Sequence, residues 1–271
     1  MTNNSPLRGL RGIPNLFTLL NLFFGCLAIV FATQSGLLPV YDDSGLALTD
    51  ATGNQFINLP EKIWLASLFI FAASVIDFLD GFVARLFKAT SDMGKQLDSL
   101  ADVVSFGVAP SIIVYQFLRL CYAQQQDGLD VNFLWLLPAF IISCAAAYRL
   151  ARFNTDAGQS DAFKGLPAPA AGLVIASLPL IYWFSNELWI IKLLLSKWFW
   201  YAIIVLVSWL MVSNLPLINL KFKDYSFKKN MSKWLLAVIA IASAITLQWA
   251  AIPVTIGAYI IVSLLFKNKM V

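Results

Sequence analysis

Histidine does not occur once in the 271 residues of this chain. Its absence excludes a Ser-His-Asp hydrolase, a phosphohistidine intermediate and any histidine-ligated metal centre. Charge is scarce too: Asp, Glu, Lys and Arg make up 13% of the residues against 59% hydrophobic, with mean hydropathy +0.75. A chain this apolar is not an ordinary soluble domain. The three cysteines, Cys26, Cys121 and Cys144, lie in apolar surroundings without paired spacing, which leaves no disulfide framework and no zinc site. The net charge of +4 calls for no nucleic acid, because the excess falls in short loops beside apolar runs, where it suits anionic headgroups. Chemistry here has to run on carboxylates, amines, guanidinia, hydroxyls or bound metal.

What is present is a succession of apolar runs, each long enough to cross a hydrocarbon core about 30 Å thick as a helix. They lie near residues 14–33, 62–87, 95–121, 132–153, 166–184, 190–213, 232–249 and 251–267. The expectation is an all-α integral membrane protein of about eight transmembrane helices. The last two runs meet at Pro253, as a kinked hairpin or a pair of short helices, and seven spans is the alternative. A single membrane-embedded domain fills 1–271, with a core over about 13–213 and accessory helices over about 232–267. The first run is too long for a signal-peptide core and lacks a small-residue cleavage site, so it reads as retained. Arg8, Arg11, Arg85, Lys88, Lys95, Arg149, Arg152, Lys164 and the lysines between 221 and 233 all fall on one side of this topology. Basic residues near span ends stay cytoplasmic, which puts both termini there.

Against this background the stretch DFLDGFVARLFKATSDMGKQLDSLAD, residues 77–102, is anomalous. Positions three or four apart share a helix face. Asp77, Asp80, Gly81 and Ala84 therefore form one stripe at the end of the second run, and Gly94, Asp98, Asp102 and Ser105 a second at the start of the third. A short connection makes the two helices antiparallel neighbours, so four carboxylates converge near the cytoplasmic face. A charge inside a span costs at least about 2.5 kcal/mol, and four like charges together would take up protons unless cations sit among them. Oxygen donors favour a hard ion, Mg2+ or Mn2+. The glycines clear space for a bulky ligand such as a diphosphate. Asp92 lies off both stripes and reads as a solvated helix end.

The spacing DGxxAR, eight residues, then GxxxDxxxD is filled by Asp80, Gly81, Ala84, Arg85, Gly94, Asp98 and Asp102, with Asp77 three residues ahead. The pattern resembles the CDP-alcohol phosphatidyltransferase family, whose members displace CMP from a CDP-linked lipid or alcohol with a second alcohol. The resemblance implies a helical bundle with its polar site at the cytoplasmic end, and two divalent ions held by Asp77, Asp80, Asp98 and Asp102. It implies that Asp102 also serves as general base, that Gly81, Ala84 and Arg85 line the CDP pocket, and that the enzyme is a homodimer.

The acceptor is not encoded by that motif. The first run carries Asn15, Thr18, Asn21 and Gly25 on one stripe; SLADVVSFGVAP, AAAYRLARFN and FKGLPAPAA follow the acids. These segments resemble the membrane-integral branch of the family that forms phosphatidylserine, which implies CDP-diacylglycerol and L-serine as substrates. Arg149, Arg152 and Lys164, with Ser105, would receive the serine; positive-inside anchoring is the other reading of the two arginines. Asn15 and Thr18 either meet the cytidine nucleotide or make interhelical hydrogen bonds. Ser91 and Gly94 either approach the diphosphate or, for Ser91, cap a helix. Glycerol 3-phosphate, choline or inositol phosphate as acceptor, and more remotely a divalent-cation transporter, are the alternatives. Acids confined to one membrane face argue against transport, and the lack of an adjacent Asp pair on the cytoplasmic side argues against a prenyl transferase of the DDxxD kind.

Overall fold

A computed structural model describes residues 13–34, 38–42, 44–49, 57–58, 62–86, 91–124, 131–155, 163–218 and 230–266. The loops carrying Arg8, Arg11, Lys88 and the lysines at 221–229 and 267–269 lie outside the described residues. Ten α-helices follow in order among those described: α1 Ile13–Thr33, α2 Ile63–Leu86, α3 Asp92–Asp102, α4 Ala109–Ala123, α5 Ile141–Thr155, α6 Ala168–Phe184, α7 Leu188–Leu194, α8 Lys197–Val212, α9 Met231–Leu247 and α10 Ala251–Leu265. Two short antiparallel ribbons accompany them. β1 (Leu38–Pro39) pairs with β2 (Ile57–Asn58), and β3 (Phe163–Lys164) with β4 (Pro216–Leu217).

The eight expected segments are all helical, but the number of clear spans is smaller. Five continuous stretches among the described residues are long and apolar enough to cross a bilayer, and six if α7 and α8, bent by 69° at their junction, count as one. The helix α6 is apolar but shorter. The run 231–265 is not one straight helix. The hydroxyls of Ser243 and Thr255 lie 3.1 Å apart, although twelve residues of straight helix would separate them by about 18 Å. The chain reverses at Gln248, which has φ +49°, so α9 and α10 form a hairpin.

Between α3 and α4 the helix continues without a break but passes through a π turn at Val103–Val108, immediately after Asp102. Pro110 follows it, and a proline without an N–H cannot continue the regular ladder. Single π turns of this kind recur at functional sites because they re-aim side chains. The turn is fixed by close packing. Lipid tails are as apolar as leucine, so helices in a bilayer associate through contact between small residues and through polar links. A Cβ on Gly107 would meet Ala146 at 3.0 Å, and one on Gly172 would meet the Cα of Phe106 at 3.1 Å. The hydroxyls of Ser111 and Ser143 both donate to the Gly107 carbonyl, at 2.8 and 3.3 Å.

Around this turn a core of Phe106, Ile113, Phe117, Ile142, Ile175 and Trp200 is fully enclosed. Phe117 stacks on Trp200 at 4.7 Å, and the Trp200 indole N–H donates to the Leu194 carbonyl at 2.7 Å, anchoring the bend between α7 and α8. The segment FKGLP crosses the end of α8. Gly165 has φ +72°, and a Cβ there would lie within 3.0 Å of the carbonyls of Leu210, Met211 and Ser213, so no side chain fits.

Candidate active site

The carboxylates of Asp77, from α2, and of Asp98 and Asp102, from α3, converge. One oxygen from each lies within 4.8 Å of the other two. Asp77 and Asp98 are half-buried and Asp102 is 5% exposed. Their backbone placement follows from local sequence. Ser91 starts α3 in an extended conformation and its hydroxyl accepts the Gly94 N–H at 3.0 Å, which caps the helix and sets its register. Asp92 sits in the first turn, where a negative charge complements the helix dipole, and it is exposed. Asp98 and Asp102 then fall one turn apart on the face toward α2. Three such groups repel each other in a wall of low dielectric. An all-oxygen donor set of this kind fits a hard divalent cation.

The fourth acid of the motif is held differently. Asp80, also buried, accepts a hydrogen bond from the Thr18 hydroxyl of α1. A second link comes from the same stripe of α1: the side-chain amide of Asn21 donates to Asp102 Oδ1 at 3.1 Å. The main-chain carbonyl of Asn21 accepts the Ser105 hydroxyl at 3.1 Å. The polar stripe on α1 thus grips one acid on α2, one on α3 and the π turn beyond it. Gly25 permits the approach, since a Cβ there would sit 2.4 Å from Ser105 Oγ and 2.9 Å from its Cα. Ser105 is fully buried, so its hydroxyl acts as a strut between helices.

Of the glycines in the motif, Gly94 backs onto Asn15 and Ser91, at 3.2 and 3.0 Å from a built Cβ, whereas a Cβ on Gly81 would meet nothing within 4 Å. Arg85 is exposed in the last turn of α2. The side chains of Ala84 and Lys164 lie outside the described residues.

The two arginines of α5 separate. Arg149 is 9% exposed, within electrostatic reach of Asp102, and its Nε has no hydrogen-bond partner among the described residues. Arg152 turns to the end of α8, donating to the Val212 carbonyl at 3.3 Å and to the Asn214 side chain. The structure adds a link that the spacing did not suggest: Lys95 donates to the Asn154 carbonyl at 3.2 Å and the Asn154 amide to Ser99 at 2.7 Å, pinning α5 to α3. Asn21 was visible in the sequence as a member of the α1 stripe, three residues beyond Thr18, without a role attached to it.

A membrane helical bundle with an aspartate triad at the junction of two helices defines a class of metal-site candidates, and sequence comparison fixes the family. The model of the CDP-alcohol phosphatidyltransferase family matches residues 11–209, and the chain belongs to that family. It is 32% identical over 258 residues to a Helicobacter pylori protein named CDP-diacylglycerol--serine O-phosphatidyltransferase, covering 94% of this chain and 91% of that one. A protein of the same name from Mycobacterium bovis is 32% identical over 267 residues, 93% of this chain and 78% of the relative. One from Bacillus subtilis is 38% identical over 124 residues, 46% of this chain and 65% of the relative.

Proposed function

We propose that the protein transfers the phosphatidyl group of CDP-diacylglycerol to the hydroxyl of L-serine, releasing CMP. The observation that carries this reading is the convergence of Asp77, Asp98 and Asp102 in a chain whose relatives bear that activity in their names over nearly its full length. In the reaction the serine oxygen bonds to the phosphatidyl phosphorus, the bond from that phosphorus to the bridging oxygen of CMP breaks, and that oxygen leaves with the electron pair. The hydroxyl proton passes to Asp102, acting as general base.

Asp77, Asp98 and Asp102, with Asp80 one turn from Asp77, would hold Mg2+ or Mn2+, as two ions. When bound, such ions neutralise charge on the diphosphate and on the leaving CMP. Gly81, Ala84, Arg85 and Gly94 line the CDP-lipid pocket, with Asn15 beside Gly94; the open space over Gly81 supports this. Thr18 contributes by holding Asp80, and Ser91 by capping α3. Arg149 and Lys164 receive the serine carboxylate, a role that the unpartnered Nε of Arg149 supports.

The topology belongs to the same proposal: eight spans, with the hairpin of α9 and α10 supplying the last two, and both termini and the acids at the cytoplasmic face, as the placement of lysine and arginine supports. Residues 13–213 form the catalytic core and 232–267 accessory helices, in keeping with a family match that ends at 209. The assembly is a homodimer, by the same family resemblance. Detergent-purified protein with CDP-diacylglycerol and Mn2+ tests the assignment against serine, glycerol 3-phosphate, inositol phosphate and choline. Release of CMP with serine is expected, and release with glycerol phosphate but not serine would sink the acceptor and spare the family.

A further inference from the structure

We infer that Asn21 reads the α-ammonium group of the acceptor, so that selection of an amino-acid alcohol is built into α1. The inference rests on the phosphatidyl-transfer reading and names a residue that determines its specificity. Asn21 is fully buried. Its amide nitrogen donates to Asp102, and its main-chain carbonyl is taken by Ser105. The side-chain carbonyl, Oδ1, is buried with no hydrogen-bond partner among the described residues. The amide is oriented with its nitrogen toward Asp102 Oδ1, at 3.1 Å, which leaves the oxygen on the side away from that contact.

A buried acceptor with no donor is costly, and a ligand that supplies the donor recovers that cost. Arg149, within electrostatic reach of the same Asp102, presents the opposite case, a buried guanidinium N–H with no acceptor. The carboxylate proposed as the base is thus accompanied by one unused acceptor and one unused donor. An α-amino acid bearing a hydroxyl complements all three: ammonium to Asn21 Oδ1, carboxylate to Arg149, hydroxyl to Asp102. Glycerol phosphate and inositol phosphate bring no ammonium, and the quaternary nitrogen of choline has no N–H to donate. A site built around paired polar groups rejects analogues that leave one of them unpaired.

The test compares L-serine with 3-hydroxypropanoate, which keeps the hydroxyl and carboxylate and lacks the ammonium, in the full-length wild type and in Asn21→Leu. CMP release gives kcat/KM for each pair. The wild type should prefer serine by about 10- to 100-fold, as for a hydrogen bond to a charged group, and the preference should nearly vanish in Asn21→Leu. If Asn21 serves only to position Asp102, both acceptors slow equally and the ratio stays at its wild-type value, which overturns the inference. Equal use of the two acceptors by the wild type also overturns it, and that comparison needs no variant to fold. If the wild type uses glycerol phosphate and not serine, the function reading fails first and this inference falls with it; a serine-specific wild type with an unchanged ratio in the variant refutes the inference alone.

Discussion

Gly25→Ala should damage catalysis from a position that touches no substrate. A Cβ at this position would lie 2.4 Å from Ser105 Oγ, 2.9 Å from its Cα and 3.1 Å from its Cβ, where ordinary contact begins at 3.4 Å. Rotating the serine hydroxyl relieves the first clash but not the second, because Cα is backbone. The π turn must therefore retreat from α1 by a few tenths of an ångström up to about 1 Å. Overpacking of this kind costs about 1–3 kcal/mol, offset by up to about 1 kcal/mol from replacing a mid-helix glycine with alanine. The net loss of stability is modest. The effect on turnover is larger, because Ser105 is three residues from Asp102 and both are tied to Asn21, one turn from Gly25. A misplacement approaching 1 Å at a reacting group can cost on the order of 100-fold in rate. Thermal unfolding in detergent and kcat from CMP release are the assays. The variant should fold, melt a few degrees lower and lose between 10- and 100-fold in kcat, by the same estimate. A wild-type kcat and melting temperature would show that α1 and the π turn are not in this close contact, and the argument from packing would be wrong.

Gly81→Ala should behave in the opposite sense: with nothing within 4 Å of the new Cβ it should not lower the melting temperature, yet KM for CDP-diacylglycerol should rise because the methyl enters the proposed lipid pocket. Asp102→Asn should bind the CDP-lipid and lose at least about 100-fold in kcat, the contribution of a general base; a near-wild-type rate would remove Asp102 from that role. The two arginines of α5 should separate in kinetics. Arg149→Lys, which removes Nε, should raise KM for serine, whereas Arg152→Leu, which loses the bonds to Val212 and Asn214, should cost about 1–3 kcal/mol of stability, read as a lower melting temperature, and leave KM for serine unchanged.

The acids were legible because helical periodicity is strict: Asp77 and Asp80, and Asp98 and Asp102, had to share faces whatever the surroundings. Periodicity could not decide which of two neighbours on one face turns toward the triad. In the structure Asp80 accepts a hydrogen bond from Thr18 of α1, while Asp77 joins Asp98 and Asp102. The π turn after Asp102 was not readable either, since its cause is a combination of Pro110 with the small residues Gly107 and Gly172 in contact with α5 and Phe106. Gly107 lies in the SFGVAP segment and Gly172 directly follows FKGLPAPAA, the two segments that pointed to an amino-acid acceptor. Gly165, in the second segment, answers to three carbonyls at the end of α8. Much of what those segments specify is therefore the packing that holds the site. The two arginines of α5 looked equivalent at one helical turn apart, and only the partners supplied by α8 set them apart.

The central claim is that a serine hydroxyl attacks the phosphatidyl phosphorus beside the Asp77, Asp98 and Asp102 triad. Turnover of CDP-diacylglycerol with serine labelled with 18O in its hydroxyl, followed by mass spectrometry of both products, tests it most directly. The label should appear in the ester oxygen of the new phospholipid, with unlabelled CMP released in equal amount. Label in CMP, or an unlabelled phospholipid, would contradict the account.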